Sequence, residues 1–320
     1  MSLDAGKLYG FAWRHAHRLP GPVLRGIGNV GADVAWWRRG GGIRRLEANL
    51  ARVRPELDAR AVRRLSRAAM RSYVRYFGEA FTLAASTGEQ IDARVRTINL
   101  DHVLGTTRQG KVAVLALGHL GNWDLAGAWA TRNVATVTTV AERLEPPEVF
   151  EEYLRFRTEI GLQILALGDG DVFRRLVRVA RTPEAGIIPL LADRDLTHGG
   201  VEVELFGRRA RVAAGPAALA LTTGAPLVTT IITYERLRGE RRRRAGTPWG
   251  LVIEFVPIEP LDADVPRADR VRVLTQRWVD ALAAGIARRP EDWHMLQRVF
   301  VEDLDPQRYA ATLAQPAAEP

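Results

Sequence analysis

An α/β fold is predicted, with a largely parallel central sheet, helices on both faces and a basic helical arm in front. Three features predict it. After residue 95, apolar runs such as VAVLAL (112–117) and GIIPLL (186–191) alternate with helical stretches. These runs are continuous rather than alternating, as in strands buried on both faces. The region before them carries helical periodicity and the chain's excess positive charge. At 320 residues, 47% of them apolar, the chain has room for one large α/β unit and a smaller appendage.

Residues 1–42 mix arginines with Tyr9, Phe11, Trp13, Trp36 and Trp37, punctuated by Pro20, Gly21 and Pro22. Aromatic rings beside arginines suit a lipid headgroup layer; the same residues could also dock as a helical arm on the core. Gly26, Gly28 and Gly31 match G-x-G-x-x-G, with Glu47 about twenty residues on. No apolar strand precedes these glycines, which rules out a dinucleotide site. From Asp58 to about Ala85, Val62, Leu65, Ala69, Tyr73, Phe77 and Ala80 mark one helix face. Arg63, Arg67, Arg71 and Arg75 form a second stripe with few obvious carboxylate partners. This is either a solvated face or one facing anionic lipid or a phosphorylated substrate, which would offset repulsion of a few tenths of a kcal/mol per pair.

In the core, strands are predicted at 112–117, 134–140, 162–166, 186–191, 226–234 and 250–257, and helices at 122–132, 146–160, 170–181, 213–223 and 267–288. ERLRGERRRRAGTP (235–248) reads as a basic loop. The expected organisation is a basic helical, membrane-associating region over 1–90, an α/β core over 91–305 and a disordered tail over 306–320.

Residues 1–81 hold 16 Lys/Arg against 6 Asp/Glu, so this segment accounts for the whole net charge of +9. A segment of that kind attracts phosphate, on a nucleic acid or an anionic membrane. Tryptophan beside arginine in an arm, without a groove-reading or single-strand motif, argues against nucleic acid. No window offers the ~20 apolar residues of a spanning helix, and charge interrupts the N-terminal stretch where a signal peptide would be continuous. A peripheral position on a membrane is the expectation. Only Lys7 and Lys111 are lysines, and an Ala/Arg-rich, Lys-poor composition points to a GC-rich bacterial genome.

Cysteine is absent, and the four serines (2, 66, 72 and 86) all precede the core, outside any G-x-S-x-G. A covalent acyl-enzyme is therefore not expected. His119 directly follows the 112–117 run, where chemistry gathers at the carboxyl ends of parallel strands; Asp193 and Arg194 follow another such end. An imidazole there can deprotonate a substrate hydroxyl if a carboxylate fixes its tautomer. On spacing, Asp124 is the candidate, reached across a turn loosened by Gly118 and Gly121. His15 and His17 are expected at an interface, His102 at the start of a surface helix, His198 in a loop and His294 in packing. No cluster has metal-ligand spacing.

H-x4-D after an apolar strand, in GHLGNWDLAG, resembles the glycerolipid acyltransferase superfamily, and in particular its lipid A late-acyltransferase branch. FRTEIGLQIL (156–165), the 189–228 block with Phe206-Gly207, and PEDWHMLQRVF (290–300) are similar to further blocks in order. Within the branch, DRDLTHGGVEVELFG and the C-terminal block look most like actinobacterial phosphatidylinositol mannoside acyltransferases. The resemblance implies that His119 takes a proton from a mannose hydroxyl as it attacks an acyl-CoA thioester, palmitoyl-like, and that Asp124 orients it. It implies that Arg157 binds phosphate and that Arg194 lies among the substrate-binding residues. It also implies a carboxylate near His119, supplied by Asp193, one methylene shorter than the family's usual glutamate, or by Asp195. Gly215 and Pro216 would shape the acyl or CoA pocket. Acyl-CoA enters as co-substrate, and neither metal nor prosthetic group is implied. The same motifs fit a lysophospholipid or another glycolipid as acceptor.

Overall fold

A computed structural model describes residues 19–143, 147–167 and 171–314; Trp13, His15 and His17 lie outside the described residues. Three helices open it: α1 (Gly21–Arg38), α2 (Gly41–Val53) and α3 (Ala59–Leu83). Asp58 caps α3, its side chain accepting from the Ala61 N–H. Ala69 and Met70 of α3 meet Ala32, Leu46 and Leu50 in a small core of their own. The chain continues as α4 (Gly88–Arg94), β1 (Val95–Ile98), α5 (Asp101–Thr107), β2 (Val112–Leu117), α6 (Trp123–Asn133), β3 (Thr136–Ala141) and α7 (Pro147–Glu159). Then come β4 (Gln163–Ala166), α8 (Val172–Ala180), β5 (Gly186–Leu191) and a hairpin of β6 (Gly200–Leu205) and β7 (Arg208–Ala213). It ends with α9 (Gly215–Thr223), β8 (Leu227–Arg236), α10 (Gly239–Ala245), β9 (Trp249–Pro257), α11 (Arg270–Arg288) and α12 (Pro306–Ala314).

Seven strands form one sheet in the order β1-β9-β8-β2-β5-β3-β4. β8, β2, β5, β3 and β4 run parallel, β9 runs antiparallel to β8, and β1 lies parallel to β9. β2 is buried at every position. Val112, Val114 and Ala116 face one core with Trp278, Leu282 and Ile286 of α11. Ala113, Leu115 and Leu117 face the other, with Leu125 and Trp129 of α6. A period of two with apolar cover on both sides is why the run reads as continuous. Register then decides where the chemistry sits. Leu117 pairs with Leu191, so residues 119 and 193, each two beyond a strand end, leave the sheet side by side.

The six predicted strands and five predicted core helices are present with ends that match or shift by one to three residues; β1 and α4 are additional, and three further stretches differ from expectation. The 200–213 hairpin is absent from the sequence reading because its strands are heavily charged; Phe206 (φ 52°) and Gly207 (φ 69°) form its tight turn, both in the left-handed region. The expected basic loop contains α10, held by Arg241 to Glu235 and Arg244 to Glu89. The tail expected to be disordered carries α12 over Pro306–Ala314.

The turn from β2 to α6 allows little else at Gly121. Its φ is +58°, and a Cβ there would lie 2.6 Å from the Ile232 carbonyl oxygen. Gly121→Ala is expected to lose about 1–3 kcal/mol of stability through backbone strain and the clash. Urea unfolding measures this, and an unchanged midpoint would contradict it.

Candidate active site

His119 and Asp193 meet as the register requires. The His119 Nδ1 lies 2.6 Å from Asp193 Oδ1, and the His119 backbone N–H donates to Asp193 Oδ2 at 2.9 Å. The Trp293 indole N–H donates to the same Oδ2 at 2.9 Å. Because an ionised carboxylate only accepts, Nδ1 carries the ring hydrogen and Nε2 presents its lone pair. The imidazole is 38% exposed, whereas Asp193 is sealed at 1%. Partial loss of water disfavours the imidazolium, but the Asp193 charge and hydrogen bond outweigh that, so His119 titrates above its ordinary 6.5. Burial pushes Asp193 the other way, yet the His119 charge and the three N–H donors hold it below the usual carboxylate range. Of the two carboxylates left open by the sequence, Asp193 is the partner. Asp195 instead accepts from the Thr197 N–H at 2.8 Å.

A remote segment clamps the histidine turn. Leu120 bridges to Trp293, the His294 N–H donates to the His119 carbonyl at 2.8 Å, and the Gly121 N–H to the Asp292 carbonyl at 3.0 Å. Gly118 permits the close approach, since a Cβ there would lie 3.1 Å from Asp193 Oδ2 and 2.6 Å from Leu120. His294 itself is buried, donor or acceptor to Ser72 Oγ at 3.1 Å, and desolvation pushes its imidazole down to about 3. It packs as a neutral ring, as the sequence reading expects.

Asp124 does not orient His119. It is 1% exposed, accepting from Arg157 Nε at 2.8 Å and from the Tyr76 hydroxyl at 2.8 Å. Arg157 also donates to the Tyr153 hydroxyl at 2.7 Å. Its guanidinium is therefore a partner for Asp124 rather than a free phosphate ligand. Burial would lower its pKa, but Asp124 raises it further. Burial, followed by the Asp124 charge, pushes Tyr153 up to about 12, so it stays a protonated donor. The five-residue spacing misleads because Asn122 caps α6 through the Leu125 N–H and Asp124 then points inward from the first helical turn. His119 is still on the loop before it.

Arg194 lies at the rim, donating to the Arg298 carbonyl at 3.1 Å. Gly215 and Pro216 start α9 on the α11 side of the sheet. An apolar slot lies on the other side, between sheet and α6, walled by Leu115, Leu117, Trp129, Val137, Ile187 and Phe255. Gly215 and Pro216 do not line it. Trp123 does, and its ring meets His119 edge-on at 5.5 Å between centroids, so the slot and the imidazole share a wall.

The proposed lipid contacts divide. Trp36 packs down, its indole N–H donating to the Arg63 carbonyl and Ser66 Oγ, while Trp37 is 75% exposed. The arginine stripe has carboxylate partners the sequence did not reveal: Arg63 pairs with Glu47, and Arg67 and Arg71 share Asp33. Arg75 stacks on Trp249 at 3.5 Å.

Residues 5–302 match the family model described as bacterial lipid A biosynthesis acyltransferase. This chain belongs to that family. A phosphatidylinositol mannoside acyltransferase of Mycolicibacterium smegmatis is 36% identical over 94% of this chain and 93% of its own length. One of Mycobacterium tuberculosis is 34% identical over 94% of this chain and 90% of its own. Among solved structures, a 1-acyl-sn-glycerophosphate acyltransferase of Thermotoga maritima aligns at a TM-score of 0.35 and 13% identity, over 82% of this chain and 97% of that one.

Within this acyltransferase, sequence reasoning missed Trp293 and Tyr76 as partners of the two buried carboxylates. The signal for Trp293 was its place inside the C-terminal block; for Tyr76 there was only its position on the apolar face of α3. A measurement separates the roles of the two acids. Asp124→Ala leaves Arg157 buried and unpaired, and is expected to cost about 3–5 kcal/mol of stability in denaturant unfolding. Removing both charges in Asp124→Ala/Arg157→Met recovers a large part of that loss, whereas a relay role for Asp124 predicts no such recovery.

Proposed function

We propose that this protein moves a palmitoyl-like acyl chain from acyl-CoA to a mannose hydroxyl of a phosphatidylinositol mannoside, on the cytoplasmic face of the cell membrane. The observation that carries the reaction is the His119 Nε2 lone pair, fixed by Asp193, beside an apolar slot reached past Trp123. The substrate class is taken from the names of the relatives.

In this reading, the acceptor hydroxyl lies against Nε2 and the thioester carbonyl beside it. The hydroxyl oxygen attacks the carbonyl carbon as its proton passes to Nε2. Asp193 stabilises the imidazolium that forms, as a buried carboxylate does for its ring partner. Collapse of the tetrahedral intermediate breaks the C–S bond, and the imidazolium proton neutralises the departing thiolate. No serine or cysteine is required. The slot has a volume of about 60 Å³, so an acyl chain enters as the lining side chains part.

Membrane contact is supported by α1. Val23, Ile27, Val30, Val34 and Trp37 are all exposed and recur at helical spacing on one side, while Ala32 packs inward. No described helix is long and apolar enough to cross a membrane. An amphipathic helix lying in the interface plane satisfies both observations.

Transfer from palmitoyl-CoA is expected onto phosphatidylinositol mannosides and not onto lysophospholipids. His119→Ala should lower it by about 10²–10⁴-fold with folding intact; near-normal turnover would sink the mechanism. The base must be neutral, and His119 titrates above its ordinary value. The acid limb of kcat/KM therefore falls above pH 6.5, activity being lost as pH drops through it, and Asp193→Asn should move that limb downward. Charging the α1 stripe with Ile27→Asp/Val30→Asp should release the protein from vesicles while leaving turnover of a detergent-dispersed acceptor. Retained vesicle binding would place the membrane contact elsewhere.

A further inference from the structure

A second feature of the molecule has no part in the chemistry above. A groove of about 440 Å³ runs along α3, lined by Arg64, Arg67, Arg71 and Arg75 together with Arg289 and Trp249. Some of its charge is matched: Arg67 and Arg71 share Asp33 from α1, and Arg289 meets Glu291 and Asp292. Arg64 and Arg75 are not matched. Among the described residues neither has a carboxylate, carbonyl or hydroxyl acceptor.

Arg75 is the informative one. It is partly buried, with its guanidinium 3.5 Å from the centroid of the Trp249 ring and 4.5 Å from that of Tyr234. Arg236 lies 4.0 Å from the same Trp249 ring. Two guanidinium groups therefore share one indole with no carboxylate bound to either. Stacking on aromatic faces offsets part of the cost of such a cation, but it satisfies no N–H donor. Withdrawal from water without an acceptor is unfavourable, and like charges held together add to it. A bound anion with several oxygens would relieve both, since the planar guanidinium fork matches phosphate geometry.

The position of the groove narrows the ligand. Asp33, which ties Arg67 and Arg71, is on α1, whose outer face carries the exposed Val23–Trp37 stripe. Ser72 and Asp292, on the groove's inner side, are hydrogen-bonded to each other at 2.8 Å, and Ser72 also contacts His294, whose N–H holds the His119 carbonyl. The groove thus lies between the face proposed to meet lipid and the turn that carries the base.

We propose that this groove binds a phosphate ester of one of the enzyme's own substrates, with Arg64 and Arg75 as its principal donors. The chemistry is shared by two sources, the nucleotide phosphates of the acyl donor and the phosphodiester of the glycolipid acceptor. The assignment rests on the acyl-transfer reading for the identity of those substrates, but not for the existence of the site.

The test is equilibrium binding in a His119→Ala background, so that turnover plays no part. Two probes are used: a thioether analogue of palmitoyl-CoA, and phosphatidylcholine vesicles with and without phosphatidylinositol. Arg64→Ala and Arg75→Lys are compared with the parent; the first is an exposed change and the second keeps charge while removing the planar fork. Arg108→Ala, exposed and outside the groove, controls for net charge. Each groove variant is expected to weaken one probe by about tenfold, as loss of a charge-assisted contact does. Weakening confined to the thioether assigns the groove to the donor. Weakening confined to the phosphatidylinositol-dependent part of vesicle binding assigns it to the acceptor. Unchanged binding of both probes by variants that melt like the parent overturns the proposal, as does an equal loss in Arg108→Ala. Failure of the acyl-transfer reading would show instead as absent turnover by the parent enzyme, which keeps His119, with these binding differences intact.

Discussion

The carboxylate of Asp193 is the constraint around which the site is assembled. Fully buried, it would cost several kcal/mol if left uncompensated. Three N–H donors compensate it: the backbone and ring of His119, and the indole of Trp293. Two come from the turn after β2, beside the β5 end that carries Asp193, and the third from a segment a hundred residues beyond Asp193. The need to satisfy one carboxylate therefore fixes the β2–β5 register, excludes a side chain at Gly118 and draws the 292–294 segment across the histidine turn. The outcome is an imidazole with a defined tautomer and one free nitrogen.

A second buried carboxylate serves the scaffold. Asp124 gathers Tyr76 from α3 and Arg157 from α7 beneath the α6 N-terminus, and Tyr153 completes the cluster through Arg157. Arginine suits this place because it remains charged when buried and donates from a rigid fork. The two members of the H-x4-D pair thus answer to different partners. His119 belongs to the strand ends, and Asp124 to the helices that support them. The basic N-terminal helices are part of the same arrangement, since α3 supplies Tyr76 to one acid and Ser72 to Asp292 in the clamping segment.

Much of the fold was legible because burial on both faces of a sheet writes continuous apolar runs, and helices covering it write a period near 3.6. VAVLAL and GIIPLL are strands to the residue. The 200–213 hairpin was hidden because VEVEL carries two glutamates and RRARVA three arginines, and the basic 239–245 segment reads as loop until Glu235 and Glu89 are brought to it. The arginine stripe of α3 was visible as spacing, yet its meaning was not. Asp33 and Glu47, which pair with three of its four arginines, are sixteen or more residues away from them in the chain.

The sequence by itself determined the class of fold, the position of His119 at a strand end, the absence of a cysteine or core serine nucleophile, and the segregation of positive charge. These are properties of local pattern and composition. Only the tertiary structure decided which acid holds the histidine, that Arg157 is already paired, and that Arg64 and Arg75 are not. Those outcomes depend on strand register and on contacts between residues far apart in the chain. Side-chain partnership across a sheet edge is set by which residues are neighbours in space, and spacing along the chain carries no record of it.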